Sequence, residues 1–263
     1  MRGRLRAASR AFAGAVAAGA LALAGCAGSA PADRQSTPAA GALSGEVRVY
    51  AAASLQAAFD EIALAFETAN PGVDILPIVY DGSRTLATQI AEGAPVDVFA
   101  SADEANMAAV AELVPAPELF ATNTLVVAVP EGNAAGITTL EDLADPAATV
   151  VLCADEVPCG AASQRLFEAA GLTVRAASYE QNVTAVLTKI AADEADAGLV
   201  YATDVVGQPV ESFTPAGAEG VVNRYPIGVL ETATDRAAAE AFVAYVVSGR
   251  GEDMLGARGF GAP

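Results

Sequence analysis

The chain has 263 residues, 53% of them hydrophobic, and a formal net charge of −18. This is enough apolar material for one large domain or two lobes, and so acidic a chain is an implausible partner for nucleic acid. The sequence contains no histidine, which removes the usual general base and the commonest metal ligand and so disfavours most hydrolase and zinc mechanisms.

The first 25 residues have the pattern of an export signal. Four arginines within the first ten residues precede an apolar run over residues 11–24, which is too short to span a bilayer as a stable helix. The run ends in Leu-Ala-Gly before Cys26, which resembles the lipobox of bacterial lipoproteins. We therefore expect a lipoprotein signal peptide over 1–25 and a lipidated Cys26 that anchors the protein to the cell membrane. The alternative is an ordinary secretory signal with an incidental cysteine.

Residues 26–45 are rich in alanine, glycine, serine, proline and threonine and show no periodicity. This composition predicts a flexible tether. With Cys26 lipidated, an exported chain keeps two further cysteines, Cys153 and Cys159, and pairing between them is favoured. The alternative is two free thiols.

The first predicted strand, over residues 47–51, leads to a serine at the start of a long helix. An apolar stripe at helical spacing runs from Leu55 to Phe66, and the helix ends before Pro71. Ser54 is therefore a candidate N-cap, and the unpaired N–H groups of the first turn lie at the positive end of the helix dipole. A single strand-to-helix junction of this kind is more often only a helix cap than an anion site, but the chain repeats the arrangement.

A second strand, over 73–80, delivers Ser83 to a short helix, a loop over 155–160 precedes a third such helix, and Asn182 is a natural N-cap for a fourth. Strands and helices alternate to the end of the chain, which predicts parallel sheets flanked by helices. The other predicted strands lie over 96–100, 124–130, 149–153, 174–178, 197–201 and 221–230, and the other helices lie near 103–113, 161–170, 183–190 and 234–248.

Five runs of residues are together typical of one family. They lie at 51–55, 82–87, 93–103, 157–160 and 199–201, and the most specific are Ala-Ala-Ser-Leu and Gly-Ala-Pro-x-Asp-x-Phe-x-Ser-Ala-Asp. In these runs the chain resembles the molybdate-binding proteins of bacterial molybdate ABC importers, and the resemblance covers nearly the whole mature chain in order.

The resemblance implies an α/β fold of the type II periplasmic-binding-protein kind. Its two lobes would each hold a mostly parallel sheet flanked by helices, and two crossing strands would join them. Lobe 1 would comprise residues 46–124 and 222–263, and lobe 2 residues 125–221. A tetrahedral oxyanion would be held between the lobes.

The resemblance also implies the ligand-binding residues. Lobe 1 would supply hydroxyl and backbone N–H donors from Ser54 and Ser83. Lobe 2 would supply the backbone N–H groups of Cys159 and Val183 and the hydroxyl of Tyr201. Arg84 stands where the family often has a small polar residue, and we expect it to face solvent. No cofactor is expected, and no metal is directly ligated, because molybdenum would be bound as its oxyanion.

The expected function is capture of molybdate, and of tungstate, for delivery to an ABC permease by a monomeric protein without enzymatic activity. An oxyanion without protons offers only acceptors, so its ideal site contains only donors. Asp81 or Asp204 would weaken this argument if either faced the cleft. The alternatives are another oxyanion, such as sulfate or phosphate, and a lipoprotein enzyme with Ser54 or Ser83 as nucleophile, which would lack a histidine base.

Overall fold

The computed structural model describes residues 43–263, so the predicted signal peptide, Cys26 and all but the end of the tether lie outside the described residues. Gly45 already belongs to the first strand, where its N–H donates to the carbonyl of Gly72 over 3.1 Å. The regular structure therefore begins at the last residue of the predicted tether, one residue before the predicted start of lobe 1. Between residues 43 and 263, no helix combines the length and apolar character that a membrane span needs.

The strands and helices alternate along the chain. The strands are β1 (Gly45–Val47), β2 (Val49–Ala52), β3 (Val73–Ile75), β4 (Val79–Asp81), β5 (Val98–Ala100), β6 (Glu118–Pro130), β7 (Val150–Cys153), β8 (Ser178–Glu180), β9 (Ala197–Tyr201), β10 (Val210–Phe213) and β11 (Val222–Val229). The helices are α1 (Gln56–Ala69), α2 (Ser83–Ala91), α3 (Glu104–Ala108), α4 (Pro158–Ala170), α5 (Val183–Ala191), α6 (Arg236–Val246) and α7 (Gly249–Ala257).

Two long strands join two mostly parallel groups of strands. The strand order is β4-β2-β5-β11-β6-β9-β7-β8, with β10 added to β6. β2 is parallel to β4 and β5, and β7 is parallel to β8 and β9, whereas β6 and β11 run antiparallel to their neighbours. This arrangement confirms the predicted α/β class, in which two lobes are connected by crossing strands.

The hydrophobic core is divided in the same way. One cluster of buried side chains comes entirely from residues between Leu125 and Val221, and we call this part lobe 2. The other clusters come from residues up to Ala121 and from Tyr225 onward, and we call this part lobe 1. The boundaries at 124/125 and 221/222 stay a prediction, which this division of the core supports.

One predicted strand is interrupted. The apolar pattern over 73–80 predicts a single strand, but β3 pairs with β1 and β4 pairs with β2, with Pro77 between them. Proline has no N–H to donate to a ladder, so it separates two strands that belong to different sheets. The consequence for the site is that β4 points directly at the start of α2.

Candidate functional site

Ser54 lies between β2 and α1 but does not cap the helix. Residues Ala53–Leu55 form a 3-10 turn, α1 begins at Gln56, and the side chain of Ser54 makes no capping hydrogen bond. Its Oγ is instead 3.0 Å from the hydroxyl of Tyr225 on β11. The prediction of an N-cap is wrong because the 3-10 turn shifts the helix start past Ser54, while a distant tyrosine engages its hydroxyl.

Ser83 is the first residue of α2, after Gly82 as N-cap. It is buried, and its Oγ accepts a hydrogen bond from the N–H of Ala102 over 2.9 Å. A serine hydroxyl has one proton and two acceptor lone pairs. Because the oxygen already accepts from Ala102, the proton is free to donate to another group.

Cys159 and Val183 supply backbone groups at two further helix starts. Cys159 is the second residue of α4, after Pro158, and Val183 is the first of α5, whose N-cap Asn182 accepts from the N–H of Ala185 over 3.0 Å. N–H groups in a first turn have no partner within the helix and lie at its positive end. Within residues 43–263, no backbone carbonyl accepts from the N–H of Cys159 or Val183.

The two remaining cysteines form a disulfide in the structure, Cys153–Cys159, with 5.7 Å between the Cα atoms. It connects the end of β7 to the first turn of α4. The bond therefore ties the segment that carries the Cys159 N–H to a buried strand of lobe 2.

Tyr201 is the last residue of β9 and is buried. Its hydroxyl oxygen accepts from Nδ2 of Asn223 over 2.9 Å. Burial, with smaller contributions from Tyr225 and Asp204, raises the pKa of Tyr201 well above its ordinary value. The hydroxyl therefore keeps its proton throughout the physiological range and can donate it.

All five predicted residues line one small cavity between the lobes. They are joined there by Asp81, Gly82, Ala102 and Asn182, among others, and the space free of protein atoms is about 220 Å³, including the solvent at the mouth of the cavity. No lysine or arginine of the described chain lines the cavity, and the side chain of Arg84 is exposed. The cavity thus offers neutral hydroxyl and N–H donors at three helix starts, which suits a small anion.

Residues 47–261 match the family model of the bacterial extracellular solute-binding proteins. The chain belongs to this family. It is 42% identical over 246 residues to a molybdate-binding protein of Mycobacterium tuberculosis, with 92% of this chain and 93% of the relative covered. Membership confirms the prediction of a binding protein rather than an enzyme and of a location outside the cytoplasm.

Solved structures show the same fold. The periplasmic molybdate-binding protein of Azotobacter vinelandii matches with a TM-score of 0.72 at 18% identity, over 82% of this chain and 99% of its own. The sulfate-binding protein SubI of Mycobacterium tuberculosis matches with a TM-score of 0.66 at 17% identity, over 82% and 86%. The predicted periplasmic-binding-protein fold is thereby confirmed.

The lobes of this solute-binding protein are in contact around the cavity. Oδ1 of Asp81, in lobe 1, accepts from the N–H of Gly82 over 2.7 Å and from Nδ2 of Asn182, in lobe 2, over 2.8 Å. A Cβ atom at Gly82 would lie 2.2 Å from the carbonyl oxygen of Gln181 in lobe 2. The structure is therefore a closed form, with the two halves packed backbone to backbone beside the predicted site.

Asp204 does not line the small cavity of the solute-binding protein. It lies in a larger open groove that shares Ser54 with the cavity. Its Oδ2 accepts from the N–H of Tyr201 over 2.9 Å. Burial of the carboxyl group raises the pKa of Asp204 from 3.8 to about 7, although the hydrogen bond from Tyr201 opposes the shift.

The raised pKa of Asp204 predicts a pH dependence of stability. The folded state holds this proton more tightly than the unfolded state does, so rising pH destabilises the fold between pH 3.8 and about 7 and has no further effect above that. Asp204→Asn keeps an acceptor for Tyr201 but cannot titrate. We therefore expect the stability of the variant to rise relative to that of wild type over this range, measured by urea unfolding at several pH values. If the free energies of unfolding of variant and wild type changed in parallel with pH, the expectation would be contradicted. Other carboxylates contribute equally to both proteins and so cancel in the difference between them.

The sequence missed the residues behind the cavity wall of the solute-binding protein. Asn123 lies on β6, and Asn223 and Tyr225 lie on β11; all three are buried. Asn223 and Tyr225 are two positions apart in a strand and so share a face. Two polar side chains on the buried face of a crossing strand, with Arg224 exposed between them, were the available signal.

Proposed function

We propose that this protein captures molybdate, and also tungstate, as the free oxyanion between its lobes and delivers it to an ABC permease. The observation that carries the proposal is that Ser54, Ser83, Cys159, Val183 and Tyr201 all line one cavity. The 42% identical relative of this chain is named a molybdate-binding protein, and the match extends over nearly the full length of both chains.

The chemistry of the cavity supports an oxyanion without protons. Such an ion offers only acceptors, and three hydroxyls with several first-turn N–H groups offer donors. Hydrogen bonds to a charged group contribute roughly 1.5–3 kcal/mol each. Five of them, less the costs of desolvation and ordering, are enough for micromolar to nanomolar affinity.

The same geometry supports a role in transport. Ser54 and Ser83 belong to lobe 1 and the other three residues to lobe 2, so the ligand makes its full set of contacts only in the closed form. Ligand binding therefore favours closure, and closure presents the loaded protein to the permease. We further propose that the protein acts as a monomer and is held at the membrane by lipidated Cys26.

Sulfate and phosphate are the second candidates. Asp81 lines the cavity, and a carboxylate there is an acceptor for the proton that phosphate retains near neutral pH. Its Oδ1 already accepts from Gly82 and Asn182, so this acceptor is partly occupied. Sulfate carries no proton, and only the size of the cavity would exclude it.

Calorimetric titration of the chain from residue 27 onward, which carries no acyl group, tests the ligand. We expect tight binding of molybdate and tungstate and much weaker binding of sulfate and phosphate, because only the first two would combine the right size with a complete lack of protons. Tight binding of sulfate or phosphate without binding of molybdate would overturn the proposal.

A further inference from the structure

Two buried asparagines lie opposite each other on the crossing strands. Asn123 of β6 is directly paired with Asn223 of β11, and the residues are 4% and 2% exposed. Neither lines the cavity. Each uses its amide nitrogen to contact groups of both lobes, so the pair connects the hinge with the site.

The orientation of the Asn223 amide is fixed by a backbone carbonyl. Nδ2 of Asn223 lies 2.9 Å from the carbonyl oxygen of Ala102, which can only accept. The group facing Ala102 must therefore be the NH₂, and its second hydrogen donates to the hydroxyl oxygen of Tyr201. Because Asn223 donates to this oxygen, the proton of Tyr201 is not directed at Asn223 and can be donated into the cavity that Tyr201 lines.

The orientation of the Asn123 amide is fixed by a backbone N–H. Oδ1 of Asn123 accepts from the N–H of Thr124 over 3.0 Å, so the opposite side must be the NH₂. It donates to Oγ1 of Thr203 over 2.8 Å and to the hydroxyl of Tyr225 over 3.4 Å. Tyr225 therefore receives a hydrogen bond from Asn123.

The hydrogen bond from Asn123 also influences which hydroxyl donates in the contact between Tyr225 and Ser54. The Tyr225 hydroxyl lies 3.0 Å from Oγ of Ser54, and the hydroxyl of Tyr201 is its other oxygen neighbour. A buried hydroxyl proton without an acceptor is costly, and the oxygen of Tyr201 already accepts from Asn223, so we infer that Tyr225 donates to Ser54. The proton of Ser54 is then free for the cavity, as the proton of Ser83 is through its bond from Ala102.

We propose that Asn123 and Asn223 are positioning residues that force the cavity hydroxyls to act as donors and thereby select oxyanions that carry no proton. This inference rests on the proposed function and deepens it. An oxyanion that retains a proton, such as hydrogen phosphate, would place its O–H against hydroxyls that each already accept one hydrogen bond and direct their own proton at the ligand, so that this O–H is poorly matched. Discrimination would thus originate in the hinge strands and not only in the residues that touch the ligand.

Asn223→Asp tests the inference because the side chain keeps its shape but loses its donor. An ionised carboxylate at this position would accept from Tyr201 and withdraw its proton from the ligand. We expect molybdate binding at pH 8 to weaken by about 10- to 100-fold, the effect of one hydrogen bond to a charged ligand. The ratio of molybdate to phosphate affinity should fall as well.

A pH profile separates this role from a merely structural one. Lowering the pH protonates the introduced carboxyl group, which can then donate again, so molybdate affinity should partly recover towards pH 6. The ionisable groups around the position are Arg165 from α4, Asp103 before α3, Tyr201, Tyr225 and Asp204. Titration of the wild-type protein with molybdate at the same pH values measures how much these groups contribute to the pH dependence of affinity. Asn70→Asp, at the end of α1, is the matched control and should leave affinity and selectivity unchanged.

The outcomes separate the two proposals. If wild type binds no tetrahedral oxyanion, the proposed function fails. If wild type binds molybdate and Asn223→Asp keeps the same affinity, selectivity and pH profile, or loses affinity equally at every pH, the positioning role is overturned. Should that variant not fold, Asn223→Ala leaves Tyr201 free to rotate and must still lower the ratio of molybdate to phosphate affinity; an unchanged ratio would refute the inference.

Discussion

Gly82→Ala is expected to weaken molybdate binding by about 100-fold or more while leaving the stability of the empty protein nearly unchanged. The backbone of Gly82 has φ −60° and ψ 134°, which alanine adopts without strain. The added Cβ would nevertheless lie 2.2 Å from the carbonyl oxygen of Gln181 and 3.3 Å from Cγ1 of Val157, both in lobe 2. The clash exists only when the lobes are closed, so the substitution penalises the closed state that the ligand requires.

Calorimetry and small-angle X-ray scattering would measure this effect, the first as affinity and the second as ligand-induced compaction. Gly256→Ala in α7 is the matched control, because its Cβ would meet no atom within 4 Å. The control should bind as wild type does. Unchanged affinity and compaction in Gly82→Ala would show that the close contact of Gly82 with Gln181 does not form in the loaded protein.

Ser83→Ala is expected to weaken molybdate binding by roughly 10- to 100-fold and also to lower the melting temperature of the empty protein. The first effect is the loss of a hydroxyl donor to a charged ligand. The second arises because the buried N–H of Ala102 loses its acceptor, at a cost of about 1–3 kcal/mol, or roughly 2–8 °C for a protein of this size. From sequence alone one expects no change in stability, since the partner of Ser83 is not visible there.

Ser248→Ala separates these two effects. Ser248 caps α7, where its Oγ accepts from the N–H of Gly251 over 3.3 Å, and it is not among the residues that line the cavity. Loss of the cap costs about 1 kcal/mol. This control should lower the melting temperature without changing affinity; equal affinity in Ser83→Ala and wild type would remove Ser83 from the site.

The helix starts and strand ends that carry the candidate site are predictable because their signals are local. Asn182 caps α5 as expected, and Ser83, Val183 and Tyr201 stand at the ends of their elements as the hydrophobic pattern indicates. Family-specific runs then select these positions from the other helix starts of the chain. Ser54 shows the limit of local signals, because its partner is Tyr225, 171 residues away.

The sequence by itself determined the alternating α/β pattern, because the hydrophobic periodicity of each element depends on residues close together in the chain. The export signal and the five donor positions, which the resemblance to the family implies, stay predictions. Only the tertiary structure decided that Asn123 faces Asn223, that Gly82 touches the backbone of lobe 2, and that Asp81 lies in the cavity wall. These contacts depend on the register of two antiparallel strands and on the closure of two lobes. Both are set by packing between segments that are about 100 residues apart, and no local pattern encodes them.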